Sequence, residues 1–291
     1  MNTQAEIGIV GFGEAGRAFA SGWALGRGRV CAYDILTGTE GGRAEMEASA
    51  GELDVAMAFE PKTLMARADT IFCLVPTDQA VAAAAAMAPF VRPETLWLDG
   101  ASSSPARKRE AAAMVETAGG TYVDMAIMAP VYPKRHRTPV LLSGHAAARA
   151  AGVLETLGMT CTVVGDTVGD ASAVKMIRSV LVKGLEALTA ECFLAARSAG
   201  VEQAVLASFA QSDPGVDWSS RTAYNLERMM AHGNRRAAEM REVVSTLTEL
   251  GLPGRVSEAT ALWQDEIGDL QISDRDGDLL RRLDTVLAAR A

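Results

Sequence analysis

EIGIVGFGEAGRAFASGWALGRGRVCAYD, residues 6–34, is the stretch from which the fold can be read. Residues 6–10 are a short apolar run of strand type that stops in Gly11-Phe12-Gly13-Glu14-Ala15-Gly16, and an alanine-rich helical pattern covers residues 17–25. Gly11 permits a tight turn, Gly13 lets backbone approach a pyrophosphate, and Gly16 lets helix lie close on strand. The helix start supplies N–H groups and a partial positive charge for phosphates. A second strand, residues 30–33, ends in Asp34 about 20 residues after the motif, where a carboxylate hydrogen-bonds ribose hydroxyls and repels a 2′-phosphate. Strand, glycine motif, helix and acidic strand end, in that order, predict a dinucleotide site that takes NAD in preference to NADP.

The same alternation continues outward. Residues 55–59, 70–75, 95–98, 122–125, 139–143 and 160–164 read as strands. Residues 78–88, 105–118 and 145–157 read as helices between them, the second with Pro105 in its first turn. Strands alternating with helices of this length predict a doubly wound, mostly parallel α/β sheet of Rossmann type with a mixed edge. After Gly169 the strand signals stop. Residues 169–200 carry Val174, Ile177, Leu181, Leu185, Leu188, Cys192 and Ala195 at steps of three and four, the stripe of one long helix. Its second face holds Lys175, Arg178, Ser179, Lys183 and Glu186, and a charged helical face is ordinarily solvated. Helical patterns follow over 201–210, 221–230, 234–250, 255–267 and the tail 274–291. The expected organisation is an α/β domain over residues 1–167 and an all-α domain over 168–291, joined by the long helix.

Composition narrows the class. The chain has 291 residues, 49% of them hydrophobic and 22% charged, as in a soluble globular protein. A net charge of −8 argues against nucleic acid as a partner. No apolar run reaches the roughly 18 residues that span a bilayer. The N-terminus MNTQAE carries no basic, cleavable leader pattern, so a cytoplasmic location is expected. Cys31, Cys73, Cys161 and Cys192 are scattered in apolar contexts and read as buried free thiols, with no metal site.

The order of motifs resembles the β-hydroxyacid dehydrogenase superfamily, which includes 3-hydroxyisobutyrate and 6-phosphogluconate dehydrogenases. The resemblance rests on Gly11 to Gly16, on Leu74-Val75-Pro76, on Asp99-Gly100-Ala101-Ser102-Ser103-Ser104-Pro105, and on Gly169 with Lys175 six residues on. It implies that Val75, Pro76 and Thr77 join the cofactor site and that Ser102 and Ser103 contact substrate. It also implies that Lys175 is the general acid/base at an alcohol carbon. Partial burial and the like charge of Arg178 one turn on would favour the neutral lysine that this role needs. Ser104, directly before Pro105, is expected to cap a helix. A small, anionic hydroxyacid substrate and a homodimer follow from the same resemblance, with Arg178 the best single anchor for the anion.

The chain departs from the family pattern in places. Ser179 stands where the family has asparagine, and Val182, with Lys183 next, where 6-phosphogluconate dehydrogenase has glutamate. The Ser-Gly-Gly loop is replaced by Met128-Ala129-Pro130, and a basic loop, Tyr132 to Arg137, follows that either binds an anion or is solvated. The C-terminal half resembles a branch with a phosphogluconate-dehydrogenase-like C-terminal domain of unknown function. Lys183-Gly184-Leu185-Glu186 and His232-Gly233-Asn234-Arg235-Arg236 carry that likeness, and His232 joins Ser179 as a substrate-site candidate. Reduction of an imine or other carbonyl compound, and NAD(H) sensing without turnover, are the alternatives to hydroxyacid dehydrogenation. Lys175 argues against the first, whereas Ser179 and the lost Ser-Gly-Gly loop keep the second open.

Overall fold

All eight expected strands form, in one sheet of order β3-β2-β1-β4-β5-β6-β7-β8. They are β1 (Ile7–Val10), β2 (Val30–Tyr33), β3 (Ala56–Ala58), β4 (Thr70–Cys73), β5 (Leu96–Asp99), β6 (Thr121–Ile127), β7 (Val140–Ser143) and β8 (Cys161–Gly165). The computed structural model describes residues 7–23, 25–26, 28–273 and 275–290. Glu6, Ala24, Asp274 and Ala291, which the sequence reading put in strand or helix, lie outside those residues. β1 is central, with Ile7 opposite both Val30 of β2 and Thr70 of β4. Pairing is parallel from β3 to β6, β7 runs antiparallel to β6, and β8 is parallel to β7. The chain leaves β1 for β2 and β3 on one side and returns to β4 on the other, so the strand order reverses between β1 and β4. Open α/β sheets bind ligands at that place.

Helices α1 (Glu14–Trp23), α2 (Glu40–Glu52), α3 (Pro61–Arg67), α4 (Ala80–Met87), α5 (Pro105–Thr117) and α6 (Ala147–Thr156) alternate with the strands. Phe72 of β4 belongs to one apolar layer with Phe19 and Trp23 of α1, while Ile71 and Cys73 belong to the opposite layer with Trp97. With both sheet faces buried, the strands have to be apolar throughout, which is why they read as unbroken runs. The sequence reading missed α2 and α3. The first contains the Gly41-Gly42 pair, low in helix propensity, and is started by Thr39, whose hydroxyl accepts from the Gly42 N–H. The second is only seven residues long, opened by Pro61.

Among the described residues, five helices follow: α7 (Asp170–Ser198), α8 (Glu202–Ser212), α9 (Trp218–Glu249), α10 (Arg255–Asp269) and α11 (Leu279–Arg290). The two runs expected over 221–230 and 234–250 are both there, written together as α9 and joined across a kink at His232, whose φ of −141° and ψ of 16° are not helical. Just past the bend, a Cβ on Gly233 would run into backbone at Gln264 and Gly268, so α9 and α10 approach where neither has a side chain. The chain divides into two compact units, residues 1–175 and 176–291, and the division falls inside α7. Phe193, Leu226, Met229, Ile267, Leu283 and Val286 make the core of the second unit.

Along α7 part of the charged face is buried and part of the apolar stripe is exposed, while Arg178 is exposed and Leu185 and Cys192 are half-buried. Val174, Ile177, Leu181 and Leu188 of the apolar stripe are 44%, 49%, 67% and 59% exposed, whereas Ser179, Lys183, Glu186 and Thr189 are buried. Partners from α9 and α10 make that burial tolerable. Lys183 Nζ meets Glu239 Oε2 at 3.0 Å and donates to Ser179 Oγ at 3.1 Å. Glu186 takes a two-pronged bond from the Arg236 guanidinium and accepts from Gln264 Nε2 at 2.8 Å. Each buried charge has an opposite charge, the condition under which such groups leave water. All four cysteines are free, but Cys161 and Cys192 are only half-buried, not buried as expected.

Candidate functional site: a glycine cradle and the Lys175–Ser102 pair

The glycines of the motif do three different jobs. Gly11 has φ +88°, and a Cβ on it would come within 3.0 Å of the Leu74 carbonyl, where the ends of β1 and β4 meet. Gly16 has no room either, since a Cβ would lie 2.6 Å from the Gly11 carbonyl oxygen and push α1 off the turn. A Cβ on Gly13 would meet nothing within 4 Å, so the space over the turn is open to a phosphate. The first bond of α1 runs from the Arg17 N–H to the Gly13 carbonyl at 3.0 Å, and the N–H groups of Glu14, Ala15 and Gly16 precede it without helical acceptors. Such a cradle fits a pyrophosphate. Phe12 is the exception among the motif residues. Its ring is buried in the core, and only its backbone serves the site.

Asp34 ties the cradle to the end of β2. Its Oδ2 accepts from the Phe12 N–H at 2.7 Å and its Oδ1 from the Leu36 N–H at 2.9 Å. Each carboxylate oxygen has a second lone pair, so both can still accept from ribose hydroxyls. The end of β4 supplies half-buried Val75, exposed Pro76 and half-buried Thr77. Thr77 and the loop after β5 are tied together: Thr77 Oγ1 donates to the Ser102 carbonyl at 3.4 Å, and Ser103 Oγ donates to the Thr77 carbonyl at 3.1 Å.

Ser102 is the serine that remains for chemistry. Its Oγ, half-buried, accepts from Lys175 Nζ at 2.5 Å, within hydrogen-bond reach for a charged donor. Ser103 was expected beside it on the substrate, but its side chain is fully buried and engaged with Thr77, so it braces two loops instead. Ser104 occupies the cap position of α5 as expected, yet its side chain makes no capping bond. Pro105, which has no N–H to satisfy, lowers the need for one. Ser179, the third expected substrate hydroxyl, is buried against Lys183. Arg178 is exposed, one helical turn on from Lys175.

Beneath the pair lies a set of buried charges that sequence reasoning missed. Lys108 Nζ, on α5, donates to the Asp99 carbonyl at 2.7 Å and meets Asp99 Oδ1 at 3.0 Å and Asp124 Oδ1 at 3.5 Å. Asp99 also accepts from Tyr122 Oη at 2.6 Å and from the Ala101 N–H at 2.9 Å. Burial, the largest influence on Lys108, pushes its pKa down, but the two aspartates outweigh it and the net displacement is upward. Burial and Asp99 hold the Tyr122 hydroxyl well above its ordinary value. Two signals were available in the sequence. Asp124 interrupts an apolar strand, and Lys108 shares a helical face with Ala111, Ala112 and Val115.

His232 sits at the bend of α9 in the second unit. Burial, then Arg228, Arg235, Arg236 and Arg275, depress its pKa to about 4, though Arg236 is paired with Glu186 and Arg235 with Glu239. In the basic loop, His136 packs its ring against α1 at Gly22, where a Cβ would collide with it, while Lys134, Arg135 and Arg137 are exposed.

Sheet order, glycine cradle and acidic strand end define a dinucleotide-binding domain of Rossmann type, with a lysine and a serine paired beside it. Residues 6–165 match the NAD binding domain of 6-phosphogluconate dehydrogenase, and the chain belongs to that family. Residues 196–267 match a domain of unknown function, DUF1932. A conserved hypothetical protein from Sinorhizobium meliloti is 32% identical, with 98% of this chain and 97% of that one covered and a TM-score of 0.76. The fold is shared with 3-hydroxyisobutyrate dehydrogenase of Mycobacterium tuberculosis, at 16% identity over 99% of this chain and 100% of that one, TM-score 0.73. It is shared also with an imine reductase of Myxococcus stipitatus, at 19% identity over 97% and 99% of the two chains, TM-score 0.55.

Proposed function

We propose that the chain is an NAD-dependent dehydrogenase of a small, anionic hydroxyacid, with Lys175 as general acid/base. The observation that carries this reading is the 2.5 Å contact from Lys175 Nζ to Ser102 Oγ, set in the loop after β5 that Thr77 and Ser103 tie to the loop after β4. Bound nicotinamide would supply the hydride acceptor. In the oxidising direction a neutral lysine takes the alcohol proton, and in the reverse direction the ammonium returns it to the carbonyl oxygen. Ser102 orients the amine and offers its hydroxyl to the substrate. Arg178, exposed one turn along α7, supplies a planar fork for a carboxylate. His232, with its cationic neighbours, is a second candidate for an anion.

A screen of 3-hydroxyacids, phosphorylated and not, read by NADH absorbance, tests this reading. Turnover is expected with NAD and a kcat/KM roughly tenfold or more lower with NADP, since Asp34 faces the added 2′-phosphate with like charge. Equal use of both cofactors would remove the role given to Asp34. Tight NADH binding without turnover of any hydroxyacid would leave a dinucleotide-binding protein that does not carry out this reaction.

We also propose that a second copy of the chain covers the apolar row of α7. Four large side chains spaced along one helix and about half-exposed or more are supported better by a partner than by water. Sedimentation of the wild type as a dimer, and of Leu181→Glu as a monomer, is the expected result. A wild type that sediments as a monomer would overturn it.

A further inference from the structure

We infer that Asp124 is a positioning residue for Lys175, acting as the helix cap that α7 does not supply for itself. The inference rests on the reading of Lys175 as acid/base. The residue before α7 is Gly169, which has φ +108° and no side chain to accept from the first turn. Two neighbouring strands take over that task. Ser143 Oγ of β7 accepts from the Ala171 N–H at 3.0 Å, and Asp124 Oδ2 of β6 accepts from the Ser172 N–H at 2.8 Å. Asp124 Oδ1 accepts from Ser172 Oγ at 2.7 Å, and Oδ2 accepts from Ser143 Oγ at 3.2 Å. A carboxylate at a helix start satisfies orphan N–H groups and meets the positive end of the helix dipole.

The same carboxylate shares Lys108 with Asp99, and Asp99 in turn holds the Ala101 N–H, one residue before Ser102. One buried set of charges therefore fixes both halves of the pair: the turn of α7 that precedes Lys175 and the loop that carries Ser102. Asp124, Lys108 and Asp99 are all 1% exposed or less, so water does not compete for these bonds. Asparagine at 124 keeps the shape but must aim an NH2 at one side. There it would face a donor, either the Ser172 N–H or the Lys108 ammonium.

Trace acetylation of the intact protein with acetic anhydride, read by peptide mass spectrometry, reports how firmly Lys175 is held without needing a substrate. Exposed Lys134 serves as the internal reference. Asp124→Asn is expected to raise labelling of Lys175 relative to Lys134 by about fivefold. Ser102→Ala is expected to raise it comparably, and Asp124→Asn added to Ser102→Ala to raise it no further, because both act on one contact. Unchanged labelling in Asp124→Asn, or independent increments in the double variant, would overturn the inference. Should Asp124→Asn fail to fold, Ser172→Ala removes one of the carboxylate's bonds and leaves the pair with Lys108, with a smaller rise expected. Kinetics separate the two levels of argument. Raised labelling with undiminished kcat on a screened hydroxyacid would contradict the acid/base role of Lys175, while unchanged labelling would contradict the positioning alone.

Discussion

Lys175→Ala is expected to lower kcat by roughly two to four orders of magnitude, the usual worth of a positioned general acid/base, while NADH still binds. The cradle after β1 and the carboxylate of Asp34 are built without Lys175, so cofactor affinity has no reason to follow the loss. Two other lysines lie near in the chain or the fold, and neither is able to substitute. Lys183 is buried against Glu239 and Ser179, and Lys108 is fully buried between two aspartates. Lys175→Arg is expected to be nearly as inactive as alanine, because a guanidinium keeps its proton under all working conditions. Ser102→Ala should cost less, since the amine remains and what is lost is its orientation and one hydroxyl contact to the substrate. A parallel fall in kcat and kcat/KM would mark an interaction made in the transition state. Retained turnover in Lys175→Ala would sink the mechanism, whatever the substrate.

The cofactor half was legible because its determinants are local. A glycine whose Cβ would strike the neighbouring strand, a glycine with open space above it and an aspartate at a strand end all stand within one continuous stretch. Lys175 was legible only through resemblance to a family, and Ser102 through that and its place past the end of a strand. Their pairing was not legible, because 73 residues separate them and no spacing rule joins them. The charged face of α7 was misread in part, for a physical reason. A helical wheel assigns the inside to the apolar stripe, but here the polar stripe has charged partners on α9 and α10, so Lys183 and Glu186 are buried and Leu181 is exposed. Periodicity establishes that two faces exist and is silent on which one is covered. Asp124 and Lys108 were missed for a related reason. Their function is in each other, across a strand and a helix, and a residue-by-residue reading weighs each alone. His232 was read as a break between helices, and two helical runs do meet there at a kink, beside the place where Gly233 and Gly268 let α9 and α10 approach at backbone distance.

Lys108→Met is expected to destabilise the first unit by about 3–5 kcal/mol, more than any other single substitution argued here. Methionine fills the volume, so a cavity is not the cause. The loss is electrostatic: Asp99 and Asp124, 1% and 0% exposed, would be left as two buried carboxylates sharing no cation. In a domain of this size that corresponds to a fall in Tm of roughly 6–20 °C. The exposed controls Lys62→Met and Lys134→Met should change Tm little. Asp124→Asn added to Lys108→Met is expected to cost less than the sum of the separate losses, by about 0.5–3 kcal/mol, since removing one charge lessens the need for the other. The pH dependence has a defined sign. Lys108 and Tyr122 both have folded pKa values raised above their ordinary 10.5 and 10.0, so the folded state binds those protons more tightly than the unfolded chain does. Their contribution is complete below about pH 10 and is lost as pH rises through the folded values. Lys108→Met removes one of the two titrations and should flatten that alkaline decline, which a lost apolar contact would leave in place. A Tm unchanged by Lys108→Met would show that the triad can be dispensed with in folding. A Tm that falls with an unaltered alkaline decline would show that the methionine acts by packing rather than by charge.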